Sequence, residues 1–399
     1  MTARNPGTPP APLTTLFEAV GPRIWTARMA ALAAEIGRSH RVGRALAQRH
    51  AIEITLERLR RNGPTPTPTQ TERHITALAA EAATTFAALS RSGRARMRAA
   101  LRAALTGENT LIPIFHMLRC AALQRSRGFT VRYAAFEDAA PFDLLLSRAG
   151  AEAEVACDVV SAEDGRGVHR GAWLRLVDRI DPDLQTWLAA HPGRYLLKLT
   201  LTQGLRGAAE NLAALHDRIR TMLEGQRRAD HDEAAVLRLD PLMLAAAQAD
   251  ELGLLSSLRR EFGHEAHLAV TTAGAGVFVL AARAGRENEI AAAIRRRMAA
   301  VAPARLTGTR PGILAMLVED TDRAEWRHLR ERLELEGEAR QFLTNPEARR
   351  VVAVSCASRL ELFGAGAPDA APDGELRFRN PSHPAARAAA LAPAVLSSV

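Results

Sequence analysis

Lysine is almost missing from this chain: of 53 basic residues only Lys198 is not arginine. A phosphate-binding loop of the Gly-x-x-x-x-Gly-Lys-Ser/Thr type is therefore excluded, because the one lysine follows Leu197 rather than a glycine. Cysteine is scarce as well. Cys120, Cys157 and Cys356 are too few and too scattered for a disulfide framework or a four-ligand zinc cluster, and are expected to be small buried apolar residues. Aromatic residues make up 4% of the chain, which leaves few stacking partners for single-stranded nucleic acid. No run of about 20 apolar residues is present, so no membrane span is expected. The longest candidate, Leu268 to Ala282, is interrupted by Thr271-Thr272-Ala273-Gly274-Ala275-Gly276, which fits a turn between two strands. Met1 to Leu13 lacks the apolar core of a secretion signal, so a cytoplasmic location is the expectation. No Gly-x-Gly-x-x-Gly follows a strand, no Gly-x-Ser-x-Gly elbow occurs, and His264-Glu265-Ala266-His267 lacks the His-Glu-x-x-His spacing that turns two imidazoles to one zinc.

What is present is a chain of 399 residues with 47% hydrophobic content, enough for two or three domains with buried cores. The net charge of +9 is unevenly spread. Residues 1–107 carry 16 arginines against 6 acidic residues, a local charge of +10, and the remainder is close to neutral. Such asymmetry fits contact with phosphates. An arginine- and alanine-rich coding bias explains the same numbers without any binding role.

A Pro- and Thr-containing tail over 1–12 is expected to be disordered. Residues 13–107 form a basic helical region: Ile24, Met29, Leu32, Ile36 and then Ile52, Leu56, Leu59 recur at three- and four-residue steps. The segment Asn62 to Thr69, with alternating prolines, interrupts it. Beyond it, a run from Glu72 to Leu105 carries Arg91, Arg94, Arg96, Arg98 and Arg102, candidate contacts for DNA or RNA, although helical spacing spreads them around the cylinder.

At Gly107 the pattern changes. A helix capped near Asn109 or Thr110 runs to Arg127 and stops at Gly128. Strands are expected at Phe129 to Phe136, Phe142 to Ser147 and Ala153 to Val160, then a helix over about 169–190, a strand at Arg194 to Thr202 and a helix over about 208–224. The fold class is thus α/β, a central mixed sheet with α-β-β-β-α-β order over 108–228, followed by a second α/β or α+β segment over 229–363. That segment has strands near Ala235, His267, Val277, Ile313 and Val351 and helices over 242–262, 287–300 and 323–335. A poorly ordered tail is expected over 364–399.

This order, with Pro141-Phe142-Asp143 at the start of the second strand and acids on the third, resembles the core of the PD-(D/E)XK (restriction-endonuclease-like) nuclease superfamily. The resemblance covers about residues 108–205. It implies that Asp143 and an acid of the third strand hold a divalent cation, Mg2+ or Mn2+, while a lysine completes the site; hard cations prefer carboxylate oxygens, and alternate strand residues share a face. Two registers are open. Glu154-Val155-Ala156 keeps the acid, whereas Ala156-Cys157-Asp158 fits the following Ser161-Ala162-Glu163-Asp164-Gly165-Arg166 turn better. Both lack the lysine. Glu152, Glu154 and Asp158 share parity, so this face is either exposed to solvent or part of a cation site in which Asp143 and Glu154 hold the ion and Asp158 or Lys198 completes the catalytic set. Lys198, on the polar side of the next strand, is the candidate for a migrated lysine. His116, on the first core helix, either approaches the acidic face or satisfies a local hydrogen bond. Three functions follow: a catalytically silent nucleic-acid-binding module, an active metal-dependent nuclease, or a protein-interaction scaffold.

Overall fold

Good helix formers dominate the first hundred positions, and the computed structural model turns them into a series of short helices. It describes residues 11–63, 65–242, 251–263 and 265–398. Most of the expected disordered tail, Pro64 of the proline-threonine segment, residues 243–250 of the helix expected over 242–262, and His264 lie outside the described residues. The chain is 53% helix and 20% strand, an α/β protein with mixed sheets and a helical N-terminal region, as expected.

Two compact units are distinguished. The first comprises the described residues of Met1–Ala34, Ala47–Ala162 and Ala291–Val399; the second comprises Glu35–Leu46 and Glu163–Ile290. Among the described residues the strands are β1 (Thr130–Arg132), β2 (Leu144–Arg148), β3 (Ala151–Ser161), β4 (Arg194–Leu201), β5 (Ala229–His231), β6 (Ala235–Pro241), β7 (His267–Ala273), β8 (Gly276–Ala284), β9 (Gly312–Glu319), β10 (Val351–Ser358) and β11 (Leu376–Arg379). The first unit holds a six-stranded sheet in the order β1-β2-β3-β9-β10-β11. Its β1-β2-β3 meander is antiparallel, β3, β9 and β10 are mutually parallel, and β11 returns antiparallel. The second unit holds a five-stranded sheet in the order β5-β6-β4-β8-β7, with β4 and β8 parallel and the other neighbours antiparallel.

This topology corrects the expected partnership of β4. The strand Arg194–Leu201 and its flanking helices, Arg170–Ala190 and Ala209–Glu224, build the second unit instead of completing the sheet of β2 and β3. The place beside β3 is taken by β9, reached through the helix Ile290–Arg305. The reason is burial. A central parallel strand is covered on both faces and must be apolar throughout, and Ile313 to Val318 are all at most 3% exposed. On β4, Lys198 and Thr200 alternate with buried Leu197, Leu199 and Leu201, which suits a sheet with one wetter face. The α-β-β-β-α-β order is therefore kept in the first unit, with residues 163–290 interposed before its second helix.

Three smaller expectations change. Of the strand expected over 129–136, only Thr130–Arg132 is extended, and Ala134–Glu137 coils into a helical turn. The run over 72–105 is two helices, Gln70–Ala88 and Arg91–Ala104, because Ser90 caps the second by accepting the Gly93 N–H. The segment after Gly364 is ordered: β11 pairs with β10, and Phe378, Leu391 and Val395 are buried. Gly128, with φ +85°, ends the helix Ile112–Ser126 in the left-handed conformation that a glycine adopts without strain.

In the first unit Trp25, Met29, Leu32, Ile52, Leu56 and Ile75 from the N-terminal helices join Phe115 and Leu118 of the helix Ile112–Ser126 in one apolar core against β2, β3 and β9. Ile24, expected on that face, is 38% exposed. In the second unit Trp173, Leu176, Ile180 and Leu184 pack on Leu199, Phe278 and Leu280, and Asp178 accepts the backbone N–H groups of Arg41 and Val42. Among the described residues no helix is long and apolar enough to cross a membrane.

Inside the helical part of the first unit, Glu57 accepts hydrogen bonds from Trp25 Nε1 (2.7 Å), Arg60 Nε (2.7 Å) and Arg61 Nε (2.5 Å). Burial raises its pKa, but the bonds from Arg60, Trp25 and Arg61 outweigh burial and bring it to about 2. A carboxyl held below its unfolded value stabilises the fold above the unfolded pKa and loses that contribution as pH falls toward the folded one. Glu57→Gln should cost about 2 kcal/mol at pH 7, discounted for its partly exposed arginines, and much less near pH 2. Urea unfolding midpoints at the two pH values check this.

Candidate functional site

The acidic face singled out by the sequence lies where β2, β3 and β9 meet. Asp143 immediately precedes β2; its backbone N–H donates to Val155 O (2.9 Å), and Leu144 is the first residue of the ladder, opposite Val155. Its Oδ2 accepts from the Cys157 backbone N–H (2.7 Å) and from Arg305 Nη2 (2.8 Å). Burial raises the Asp143 pKa, and the Arg305 guanidinium opposes that shift. Glu154 on β3 is fully buried and accepts from the backbone N–H of Thr307 (2.8 Å) and its hydroxyl (2.5 Å), with Arg310 Nη1 3.8 Å away. Asp158 is gripped by Arg297 through Nε (2.5 Å) and Nη2 (2.9 Å), and Glu152 takes Arg310 Nε at 2.6 Å.

The helix Ile290–Arg305 thus supplies Arg297 and Arg305 about two turns apart, one to each aspartate. A buried carboxylate needs a counter-charge or several donors, and each of these has its own. Asp143, Glu154 and Asp158 do not gather around one point. Among the described residues, the one group of three or more His, Cys, Asp or Glu whose ligand atoms all lie within 4.8 Å of one another is His116, Cys120 and Cys157. The carboxylates therefore do not fit a shared Mg2+ or Mn2+: guanidinium groups hold the two aspartates, and a backbone amide and a hydroxyl hold Glu154.

Lys198 belongs to the second unit. Its Nζ is 3.2 Å from Asp240 Oδ2 and stands over the Phe262 ring at 5.5 Å. Asp240 feels burial, which raises its pKa, but hydrogen bonds from Arg238 and Lys198 bring it below its usual value. Of the five helix arginines, Arg96 donates to Phe136 O and Glu137 O, Arg98 to Ala19 O, and Arg102 to Val20 O. These three tie segments of the helical region together. The side chains of Arg91 and Arg94 make no hydrogen bond or ion pair among the described residues.

His116 approaches β9 rather than an acid. Its Nε2 donates to Ala315 O at 2.9 Å, so Nδ1 carries the lone pair, 3.7 Å from Cys120 Sγ. All three cysteines are buried, as expected, but Cys120 and Cys157 meet. The sequence held the signal: His116 and Cys120 are four apart on a helix, and Cys157 has the parity of the apolar residues Ala153 and Val155 that this helix covers.

A second polar neighbourhood, missed in the sequence, sits at the C-terminal ends of β3 and β9. Ser161 donates to Asp320 (2.5 Å), a residue with φ +60°, and Glu319 beside it buries Oε1 without a hydrogen-bond partner. Burial, then the Asp320 charge, push the Glu319 carboxyl up to about 7, against the pull of Arg49 and Arg359.

Comparisons with protein-family models, with curated proteins and with solved structures return no match for this chain.

Two outcomes are expected. Arg305→Ala should destabilise the protein by about 2 kcal/mol at pH 7 by leaving Asp143 buried and unpaired, and by less at pH 4, with Asp143→Asn in the same chain restoring most of the loss; unfolding midpoints of the single and double variants measure it. Glu319 has a raised pKa, so its contribution is complete below about pH 4.5 and is lost as pH rises through about 7. Glu319→Gln should therefore be more stable than the parent at pH 8, by roughly 2–3 kcal/mol, and equal to it below pH 4.5.

Proposed function

We propose that the chain is a nuclease-like α/β module that has exchanged its cation for arginines and binds nucleic acid without cutting it. The single observation that carries this reading is the pairing of Asp143 with Arg305 and of Asp158 with Arg297. The antiparallel β1-β2-β3 meander, with parallel β9 added after a helix, supports kinship with the PD-(D/E)XK superfamily. In that kinship the second acid must face the first. Asp143 lies against residues 155 to 157, which favours the Ala156-Cys157-Asp158 register. The second acid is then Ala156 and the lysine is Asp158, so one carboxylate remains where two are needed to hold a hard cation. The guanidinium groups supply the positive charge that the cation would have brought to Asp143 and Asp158.

Phosphate contact is supported by position. An open cavity of about 570 Å3 is lined by Thr307, Arg310, Arg349, Arg350 and His383, beside the loop that binds Glu154. Arg349 is exposed and its side chain makes no hydrogen bond or ion pair among the described residues. With unpartnered Arg91 and Arg94 and a net charge of +9, it offers charge-driven, sequence-independent attraction for a phosphate backbone.

Labelled single- and double-stranded DNA and RNA, incubated with the protein and Mg2+ or Mn2+, should remain intact. They should bind with an affinity that falls steeply with salt, and Arg349→Glu should weaken binding several-fold and flatten the salt slope by about 1 to 2. Cleavage that Asp143→Ala abolishes would make the protein an active metal-dependent nuclease. Absence of binding at low salt would leave the scaffold reading in its place.

A further inference from the structure

The buried imidazole and two thiols between the helix Ile112–Ser126 and β3 have no part in the function proposed above. We infer that His116 Nδ1, Cys120 Sγ and Cys157 Sγ form a zinc site. Their ligand atoms lie within 4.8 Å of one another, and His116 and Cys120 are 1% and 2% exposed.

Three features of the geometry support a metal over an ordinary packing cluster. The ring orientation is the first. Ala315 O can only accept, so its 2.9 Å bond fixes the proton on His116 Nε2 and leaves the Nδ1 lone pair free for a ligand, with Cys120 Sγ 3.7 Å from Nδ1 and 3.8 Å from Nε2. A carbonyl on the far nitrogen is the usual means by which a metal-binding histidine is oriented. The second is spacing. A nitrogen about 2.05 Å and a sulfur about 2.3 Å from zinc, at the tetrahedral angle, stand about 3.6 Å apart. The Nδ1 to Cys120 Sγ distance is 3.7 Å. The third is rigidity: two donors come from one helix face at i and i+4, and the third comes from a central strand, so backbone pairing fixes the site before any ligand arrives.

The chemistry selects the ion. Two thiolates and one imidazole suit a borderline or soft metal and disfavour Mg2+ and Ca2+. Zinc(II) with two thiolates is neutral overall, which a buried site favours, and binding releases the two thiol protons to solvent. The carboxylate of Asp143, hydrogen-bonded to the Cys157 N–H, stands beside the cluster at its edge. The site would pin the helix to β3 and, through Ala315, to β9, the three elements around which the first unit is built.

The test uses the full chain, purified with reductant. Its zinc content should be about one equivalent, and cobalt(II) exchanged into it should show thiolate charge-transfer and tetrahedral d–d bands. Cys120→Ala, Cys157→Ser and His116→Gln should each weaken cobalt binding by more than about 100-fold, and Cys356→Ala should leave it unchanged. Because the cysteine variants can fail to fold, X-ray absorption of the zinc-loaded parent gives an independent reading, with two sulfur ligands and one imidazole expected. The inference is overturned if the parent holds no zinc and no cobalt bands develop, if absorption shows no sulfur ligation, or if mass spectrometry of unreduced protein finds Cys120 and Cys157 joined as a disulfide.

Discussion

The acidic groups just before β2 and on β3 can be placed within a sheet only because each finds a basic or donating partner. Asp143 and Asp158 are matched by Arg305 and Arg297 of one helix, and Glu154 by the Thr307 backbone and hydroxyl. Removing water from an isolated carboxylate costs several kcal/mol, so these pairings are a condition of the architecture and not an addition to it. They also explain why the helix Ile290–Arg305 must lie close to β3: two of its arginines reach the sheet, and the loop after it closes over Glu154. In the function proposed above, these same guanidinium groups take the place of a divalent cation, so that proposal ties the stability of the fold and the silence of the site to one cause.

Much of the architecture was legible in the sequence, because periodicity is a local signal. The helix ending at Gly128, the strands at Leu144–Arg148 and Ala151–Ser161, and the alternation on Arg194–Leu201 are found where the pattern puts them. The assembly of those pieces was less legible. The resembled α-β-β-β-α-β order put β4 in one sheet with β2 and β3, as consecutive elements usually are. A nonlocal comparison gives the better answer: Ile313 to Val318 is apolar at every position and suits burial on both faces, whereas Lys198 and Thr200 on β4 do not. Likewise the alanine-rich end of the chain reads as disordered until the edge of β10 is known to need a partner, which Leu376–Arg379 supplies.

The site was legible in its residues and not in its relations. Asp143, Glu154 and Asp158 are found close to the expected positions on β2 and β3, but the arginines that hold two of them lie some 140 to 160 positions further along the chain. Parity placed the carboxylates on one face without revealing what covers it. The cysteines were read one at a time as packing residues, and only the contact between a helix and a strand brings Cys120 and Cys157 to the same imidazole. Among the helix arginines, spacing alone could not separate Arg96, Arg98 and Arg102, which bind carbonyls, from Arg91 and Arg94, which do not.

Manganese(II) binding, followed by the loss of its free-ion paramagnetic resonance signal as protein is added, tests the proposed exchange of cation for arginine most directly. The account predicts no saturable binding that depends on Asp143: parent and Asp143→Asn give the same titration, with only weak, salt-sensitive association. A stoichiometric site in the parent that disappears in Asp143→Asn would contradict it, since a carboxylate already committed to Arg305 has no such capacity.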